Sequence, residues 1–268
     1  MRKKLCCALL SVAFFPYLSG AAEDAVAKRL ESSPRHHEWV EVPSGARKVS
    51  AFVVFPEVKS KAPVVIVIHE NRGLTDWVRS VADRLAEQGV IAIAPDLLSG
   101  AGPKGGRTSD FADGDAAREA ISKLPPDQVA ADLASVADYA AKLPAASGKL
   151  AVGGFCWGGG QSFRFATLRK NLAAAYVFYG TAPQEKAALE GVACPVYGFY
   201  GGNDARVDAT IPPTSQAMKE LGKTFEPVTY EGAGHAFMRA GEEEGASEAN
   251  RKARDDAWKR WAELLKKL

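Results

Sequence analysis

The sequence predicts an α/β fold in which a mostly parallel central sheet carries helices on both faces. Three observations support this. Val64–Ile68 and Val90–Ala94 are unbroken runs of β-branched and small apolar residues, the composition of strands buried on both sides. Between them, Trp77, Val78, Val81 and Leu85 recur at helical spacing. Strand, helix and strand therefore alternate, which calls for parallel pairing through right-handed crossovers. Finally, the apolar stretch Leu150-Ala151-Val152 runs through Gly153-Gly154-Phe155-Cys156-Trp157-Gly158-Gly159-Gly160 into a helix predicted to begin near Gln161.

The chain opens with a segment that stands apart from this pattern. Arg2, Lys3 and Lys4 precede an apolar stretch from Leu5 to Leu18 and the small residues Ser19-Gly20-Ala21-Ala22, the layout of a secretory signal peptide. The stretch is short for a membrane span. The expectation is a leader over 1–22, a single domain over 23–268, secreted or periplasmic, and no stable membrane association after cleavage. Cutting after Ala22 removes three of 34 basic residues and none of the 32 acidic ones, so the net charge passes from +2 to −1. That balance argues against a nucleic-acid partner. With 47% hydrophobic and 25% charged residues, the composition excludes a disordered or collagen-like chain. Cys6 and Cys7 go with the leader. Cys156 and Cys194 remain, and are read as two separate thiols because sheet geometry keeps the elbow and the strand after Cys194 apart.

In order, residues 23–48 read as a polar leader into the first strands. The neighbouring His36 and His37 diverge and have no further ligands nearby, so no metal is expected there. Val49–Phe55 alternates as a strand. Val64–Ile68 ends in the polar loop His69-Glu70-Asn71-Arg72-Gly73, at the strand end where open α/β sheets place ligands. Thr75 is the candidate cap of the following helix, and Gly89 closes it. Residues 99–126, rich in glycine and ending at Pro125-Pro126, read as a long excursion near the mouth of a site. Val129, Leu133, Val136, Ala140 and Leu143 form a helical stripe, and strands follow over 173–179, 195–200 and 225–230. A helix is predicted around 213–221, and the tail 246–268 is an amphipathic helix with Ala257, Trp261, Leu264 and Leu268 on one side.

The motif Gly154-x-Cys156-x-Gly158 has the form of the nucleophile elbow of the α/β-hydrolase fold, with cysteine where serine usually stands. A side chain at such a turn leaves the sheet at the N-terminus of the next helix, where backbone N–H groups favour a thiolate and an oxyanion. Downstream come Asp204, which closes the turn Gly201-Gly202-Asn203-Asp204 at the end of the strand over 195–200, and His235, after the last strand. Nucleophile, acid, histidine is the chain order of α/β-hydrolase triads. Cys156 is the candidate nucleophile, His235 its base, and Asp204 the group that orients the imidazole. Of four histidines, His235 alone follows the elbow.

Taken with His69-Glu70-Asn71-Arg72-Gly73, Ala94-Pro95-Asp96-Leu97, Gly202-Asn203-Asp204 and Gly234-His235-Ala236-Phe237, these segments resemble the dienelactone hydrolase (carboxymethylenebutenolidase) family over roughly 49–265. The resemblance implies a Cys-His-Asp triad with an added glutamate, Glu70, pairing with the resting thiol. The oxyanion donors are expected at the backbone N–H groups of Trp157 and Asn71. Arg239 matches a family arginine that binds the substrate carboxylate. A second family arginine is replaced here by Ser99-Gly100, leaving Arg107 or Arg72 as substitutes. The expected activity is hydrolysis of a small lactone or carboxylic ester through an acyl-thioester, with no cofactor and no metal, in a monomer or homodimer. Three other readings stay open: a general carboxylesterase, a noncatalytic small-ligand binder, and thiol redox chemistry, the last without a Cys-x-x-Cys motif.

Overall fold

Successive residues of a buried strand face opposite sides of its sheet, and β3 shows this most clearly. The computed structural model describes residues 20–268, so most of the predicted leader, residues 1–19, lies outside the described residues. Chain order begins with α1 (Gly20–Glu31), β1 (His37–Ser44), β2 (Arg47–Val54), β3 (Ala62–Ile68), α2 (Asp76–Glu87) and β4 (Ile91–Pro95). It continues through α3 (Gly114–Ser122), α4 (Pro126–Ala141), β5 (Ala146–Phe155), α5 (Trp157–Leu168), β6 (Ala174–Phe178) and α6 (Lys186–Leu189). The last elements are β7 (Val196–Gly201), α7 (Ala205–Asp208), α8 (Ile211–Glu220), β8 (Phe225–Tyr230), α9 (Phe237–Ala240) and α10 (Glu248–Leu265). In β3, Ile66 and Ile68 pack with Leu133 and Val136 of α4, while Val65 and Val67 pack on the other face with the cluster of Val78 and Val81 from α2 and Trp261 from α10.

The eight strands are ordered β1-β2-β4-β3-β5-β6-β7-β8. All pairings from β4 to β8 are parallel; β2 runs antiparallel to both β1 and β4. The carboxyl ends of β3, β5, β6 and β7 therefore share one rim, and the site is built there. Among the described residues no helix is long and apolar enough to cross a membrane.

Three readings of the sequence are corrected. Residues 23–48 are not a mere leader: they hold α1 and the edge strand β1, which forms a hairpin with β2 through Gly45 at φ +59°. The strand was hidden because an edge needs only one buried face, so Glu38 and Glu41 interrupt its apolar residues. The excursion over 99–126 contains the helix α3, with Asp113 accepting from the N–H groups of Asp115 and Ala116 at its start. The helix after the elbow begins at Trp157 rather than near Gln161. Thr75 does stand at the start of α2, but its side chain makes no capping hydrogen bond.

Asp83 on α2 fastens the N-terminal segment. Its buried carboxylate receives Arg35 Nε at 2.9 Å and Nη2 at 2.6 Å, the Ser33 hydroxyl at 2.6 Å and His37 Nε2 at 2.9 Å. Burial alone would raise its pKa, but the hydrogen bonds from Arg35, Ser33 and His37 outweigh it and hold the carboxyl down at about 2. Asp83→Ala leaves the half-buried Arg35 guanidinium and the Ser33 and His37 donors without their shared acceptor and is expected to cost about 3 kcal/mol. Because the folded pKa lies below the usual carboxylate value of ~4, the contribution is complete above that value and is lost as pH falls toward 2. Denaturant titrations of both proteins at pH 7 and pH 3 check this: the stability gap between them narrows in acid.

Candidate active site

The turn from β5 into α5 forces Cys156 to φ +55° and ψ −116°, a conformation that non-glycine residues avoid and that persists only where surrounding structure over-determines it. Its N–H donates to Phe178 O at 3.0 Å and its carbonyl accepts from Gly160 N–H at 3.2 Å. The crossing has no room for side chains. A Cβ on Gly154 would stand 2.3 Å from Gly158 O, and one on Gly158 would stand 2.3 Å from His69 O. Cys156 thus projects from the sheet rim at the start of α5.

His235 Nε2 lies 3.1 Å from Cys156 Sγ, and His235 Nδ1 is hydrogen-bonded to Asp204 Oδ2. Asp204 sits at the end of β7, where its other oxygen accepts from Val207 N–H at the start of α7. The His235 loop is fixed by the Gly234 N–H donating to Asn250 Oδ1 at 2.9 Å and by the left-handed Ala236 at φ +60°. The hydrogen bond to Cys156, joined by that to Asp204, raises the imidazole to a pKa of about 9 against the pull of burial.

A second group stands beside this chain of three. Tyr179 packs edge-on against the His235 ring with centroids 5.2 Å apart and donates to Glu70 Oε1 at 3.4 Å. Burial and the neighbouring Glu70 hold the phenol well above its ordinary pKa, so it remains a donor. Glu70 Oε2 accepts from Arg239 Nε at 3.0 Å, and Arg239 Nη1 donates to Glu243 at 2.5 Å.

Glu70 is turned to Arg239 and Tyr179, while the hydrogen-bond partner of the Cys156 sulfur is the His235 imidazole. Arg239 is paired with two carboxylates, those of Glu70 and Glu243. The candidate substitutes are elsewhere. Arg107 reaches Ser50 at 3.1 Å and stacks 3.9 Å over the Trp39 ring, at the β1–β2 side of the sheet. Arg72 is exposed and lies along Gly114 at the start of α3, outside the cleft lining.

The cleft in front of Cys156 encloses about 480 Å³. Asn71 and Trp157 both line it, and Trp157, as the first residue of α5, has a backbone N–H with no acceptor within its own helix. Three arginines that sequence reading missed also line it: Arg118, Arg164 and Arg206. Only Arg206, two residues beyond Asp204, had a position from which proximity could be foreseen. His69, fully buried, is kept neutral chiefly by burial. Its Nδ1–H donates to Glu70 O at 2.7 Å, its Nε2 accepts from Leu97 N–H at 3.3 Å, and its ring stacks on Trp157 at 5.4 Å. Cys194 is a free thiol distant in role from the cleft, pushed up to about 11 by burial. Among the described residues no cluster of histidine, cysteine and acidic side chains is placed to hold a metal.

A mostly parallel eight-stranded sheet with a strained residue on a strand-to-helix turn at its carboxyl rim defines the α/β-hydrolase class. Within that class, residues 49–268 match the dienelactone hydrolase family, and the chain belongs to it, a family of carboxylic ester hydrolases. A protein of Salmonella typhimurium named "Putative carboxymethylenebutenolidase" is 33% identical over 234 residues, covering 83% of this chain and 84% of the relative. One of the same name from Yersinia pestis is 32% identical over 209 residues, covering 73% and 76%. The crystal structure of a "Putative Dienelactone Hydrolase" from Klebsiella pneumoniae superposes with a TM-score of 0.76 at 28% identity, covering 87% of this chain and 99% of that one.

Proposed function

We propose that the protein is an exported hydrolase that opens a small lactone or carboxylic ester through a Cys156 acyl-thioester. The observation that carries this is the hydrogen-bonded line Cys156–His235–Asp204, set at a helix N-terminus and facing the cleft. His235, its pKa raised to about 9, holds the thiol's proton at neutral pH, and the Cys156 sulfur attacks the carbonyl carbon as the thiolate. The Trp157 and Asn71 N–H groups hold the resulting oxyanion. As it collapses, the carbon–oxygen bond to the leaving group breaks and His235 returns the proton to that oxygen. A water molecule, deprotonated by the same imidazole, then cleaves the thioester, releasing the acid and restoring the thiol. Asp204 keeps Nδ1 protonated and offsets the imidazolium charge. In this reading Glu70 and Arg239 steady Tyr179 against the His235 ring.

Export rests on the basic, apolar and small-residue layout of 1–22 alone. Rapid mixing with p-nitrophenyl acetate is expected to give a burst of nitrophenol and one acetyl group on the peptide containing Cys156. Cys156→Ala removes both, and Cys156→Ser keeps partial turnover, as hydrolysis allows and thiol redox chemistry does not. If neither burst nor acetylated peptide forms while esters still bind, the protein is a noncatalytic binder.

A further inference from the structure

We infer that His69 presets the oxyanion hole: its imidazole fixes the peptide between Glu70 and Asn71 so that the Asn71 N–H faces the cleft, and its ring backs Trp157, which carries the other donor. This rests on the reading of Cys156 as the hydrolytic nucleophile and names a positioning residue for that reaction. His69 is fully buried directly after β3 and does not line the cleft. Both of its ring nitrogens are spent on backbone groups, so it acts on the reacting atoms only through others.

The tautomer follows from the partners. The Leu97 N–H, 3.3 Å from Nε2, can only donate, and the Glu70 carbonyl, 2.7 Å from Nδ1, can only accept. The proton therefore sits on Nδ1, and burial keeps the ring neutral, as this pair of bonds requires. The carbonyl and N–H of one trans peptide unit share a plane and point in opposite directions. A Glu70 oxygen held by the imidazole thus turns the Asn71 N–H away from the ring, and Asn71 lines the cleft. That N–H has no acceptor among the described residues, which leaves it free for a substrate oxygen. The Gly73 N–H reaches the same carbonyl at 3.3 Å, so the turn over 70–73 supports the orientation that the shorter bond sets.

The second donor is tied to the same ring. Trp157 stacks on His69 with centroids 5.4 Å apart and planes 18° from parallel. The two segments meet where Gly158 crosses under the His69 carbonyl, with 2.3 Å between that oxygen and a Cβ built on the glycine. One buried ring therefore joins the ends of β3 and β4 to the start of α5. Two N–H groups from separate segments are held in register before any substrate arrives. Donors fixed in this way need no reorganisation as charge develops on the carbonyl oxygen.

The test sets two reactions of Cys156 against each other. Acylation by p-nitrophenyl acetate develops an oxyanion, whereas alkylation by iodoacetamide displaces iodide from a methylene carbon and develops none. Both are timed by rapid mixing near pH 6 and located on the peptide containing Cys156. At that pH a thiol of ordinary pKa, ~8.5, is protonated, so fast alkylation reports an intact Cys156–His235 pair. His69→Phe keeps a ring against Trp157 and removes both backbone hydrogen bonds. It is expected to slow acylation by about 10–100-fold, with the half-saturating ester concentration changed by less than about twofold and alkylation near the wild-type rate. His69→Asn puts an amide N–H close to the place of Nδ1 and is expected to recover about tenfold of the loss, although it forfeits the ring. His69→Gln, whose amide lies nearer the place of Nε2, recovers less. The reverse order, with His69→Phe the most active, marks a packing role and overturns the proposal. So do equal losses of acylation and alkylation, or acylation unchanged in His69→Phe, and all three leave the hydrolase reading standing. A wild-type protein that alkylates at Cys156 but forms no acetyl-enzyme removes the hydrolase reading and the proposal with it.

Discussion

His235→Ala lowers kcat/KM for aryl esters by about 10³–10⁴-fold, the range of a general base that also protonates the leaving group. The imidazole is the only group hydrogen-bonded to the Cys156 sulfur among the described residues, so nothing in place takes over the proton. Steady-state kinetics on p-nitrophenyl acetate, beside a circular dichroism spectrum that stays native, measures the loss. A variant that keeps most of its activity would remove His235 from the mechanism. The same substitution has a stability signature. The folded pKa of about 9 exceeds the ordinary imidazole value of ~6.5, so His235 contributes stability that is complete below that value. It is lost as pH rises through about 9. Urea titrations therefore find the wild-type protein's advantage over His235→Ala largest near pH 6 and shrinking toward pH 10; an advantage that grows with pH would contradict the assignment.

The elbow yields a second large effect, and a matched control two residues away. At Gly158 a methyl group would press on His69 O at 2.3 Å and Ile68 O at 2.5 Å, both backbone atoms that cannot swing aside. Gly158→Ala is expected to cost about 3 kcal/mol and to shift Cys156 off its line with His235, lowering kcat as well. At Gly160 the nearest atom to such a methyl group is 3.5 Å away, ordinary contact. Gly160→Ala places a better helix former inside α5 and is expected to add about 0.5–1 kcal/mol. Thermal melts of the two variants decide the matter: opposite shifts support this packing, and two equal losses contradict it.

Much of this was legible in the sequence, for reasons that differ by element. The runs in β3 and β4 and the stripe Val129, Leu133, Val136, Ala140 were readable because burial on both faces, or on one face of a long helix, imposes a period on composition. The order of Cys156, Asp204 and His235 was readable because each ends or follows a strand. The start of α5 was not: Gly158 and Gly159 lower local helix propensity, and only their close approach to the backbones of β3 and β6 explains why a helix forms over them. Partnerships were the least legible. A guanidinium reaches far in any direction, so a match at Arg239 could not reveal that Glu70 and Glu243 claim it, nor could Arg118, Arg164 and Arg206 be gathered from distant segments. Tyr179 escaped because it ends a strand full of aromatic residues and nothing local marks it out.

The helix α3 has the cleft beside Cys156 on one side and a second cavity of about 660 Å³ on the other. Only Ala117 and Ile121 of this helix are buried, in a small cluster with Leu98 and the edge of Trp157. A partition anchored so lightly is cheap to remodel. Substitutions in it leave the constricted glycines, the histidine and the aspartate untouched, since those belong to the sheet rim. The stretches that carry the line Cys156–His235–Asp204 and the helix that bounds the space in front of it are therefore separate parts of the chain.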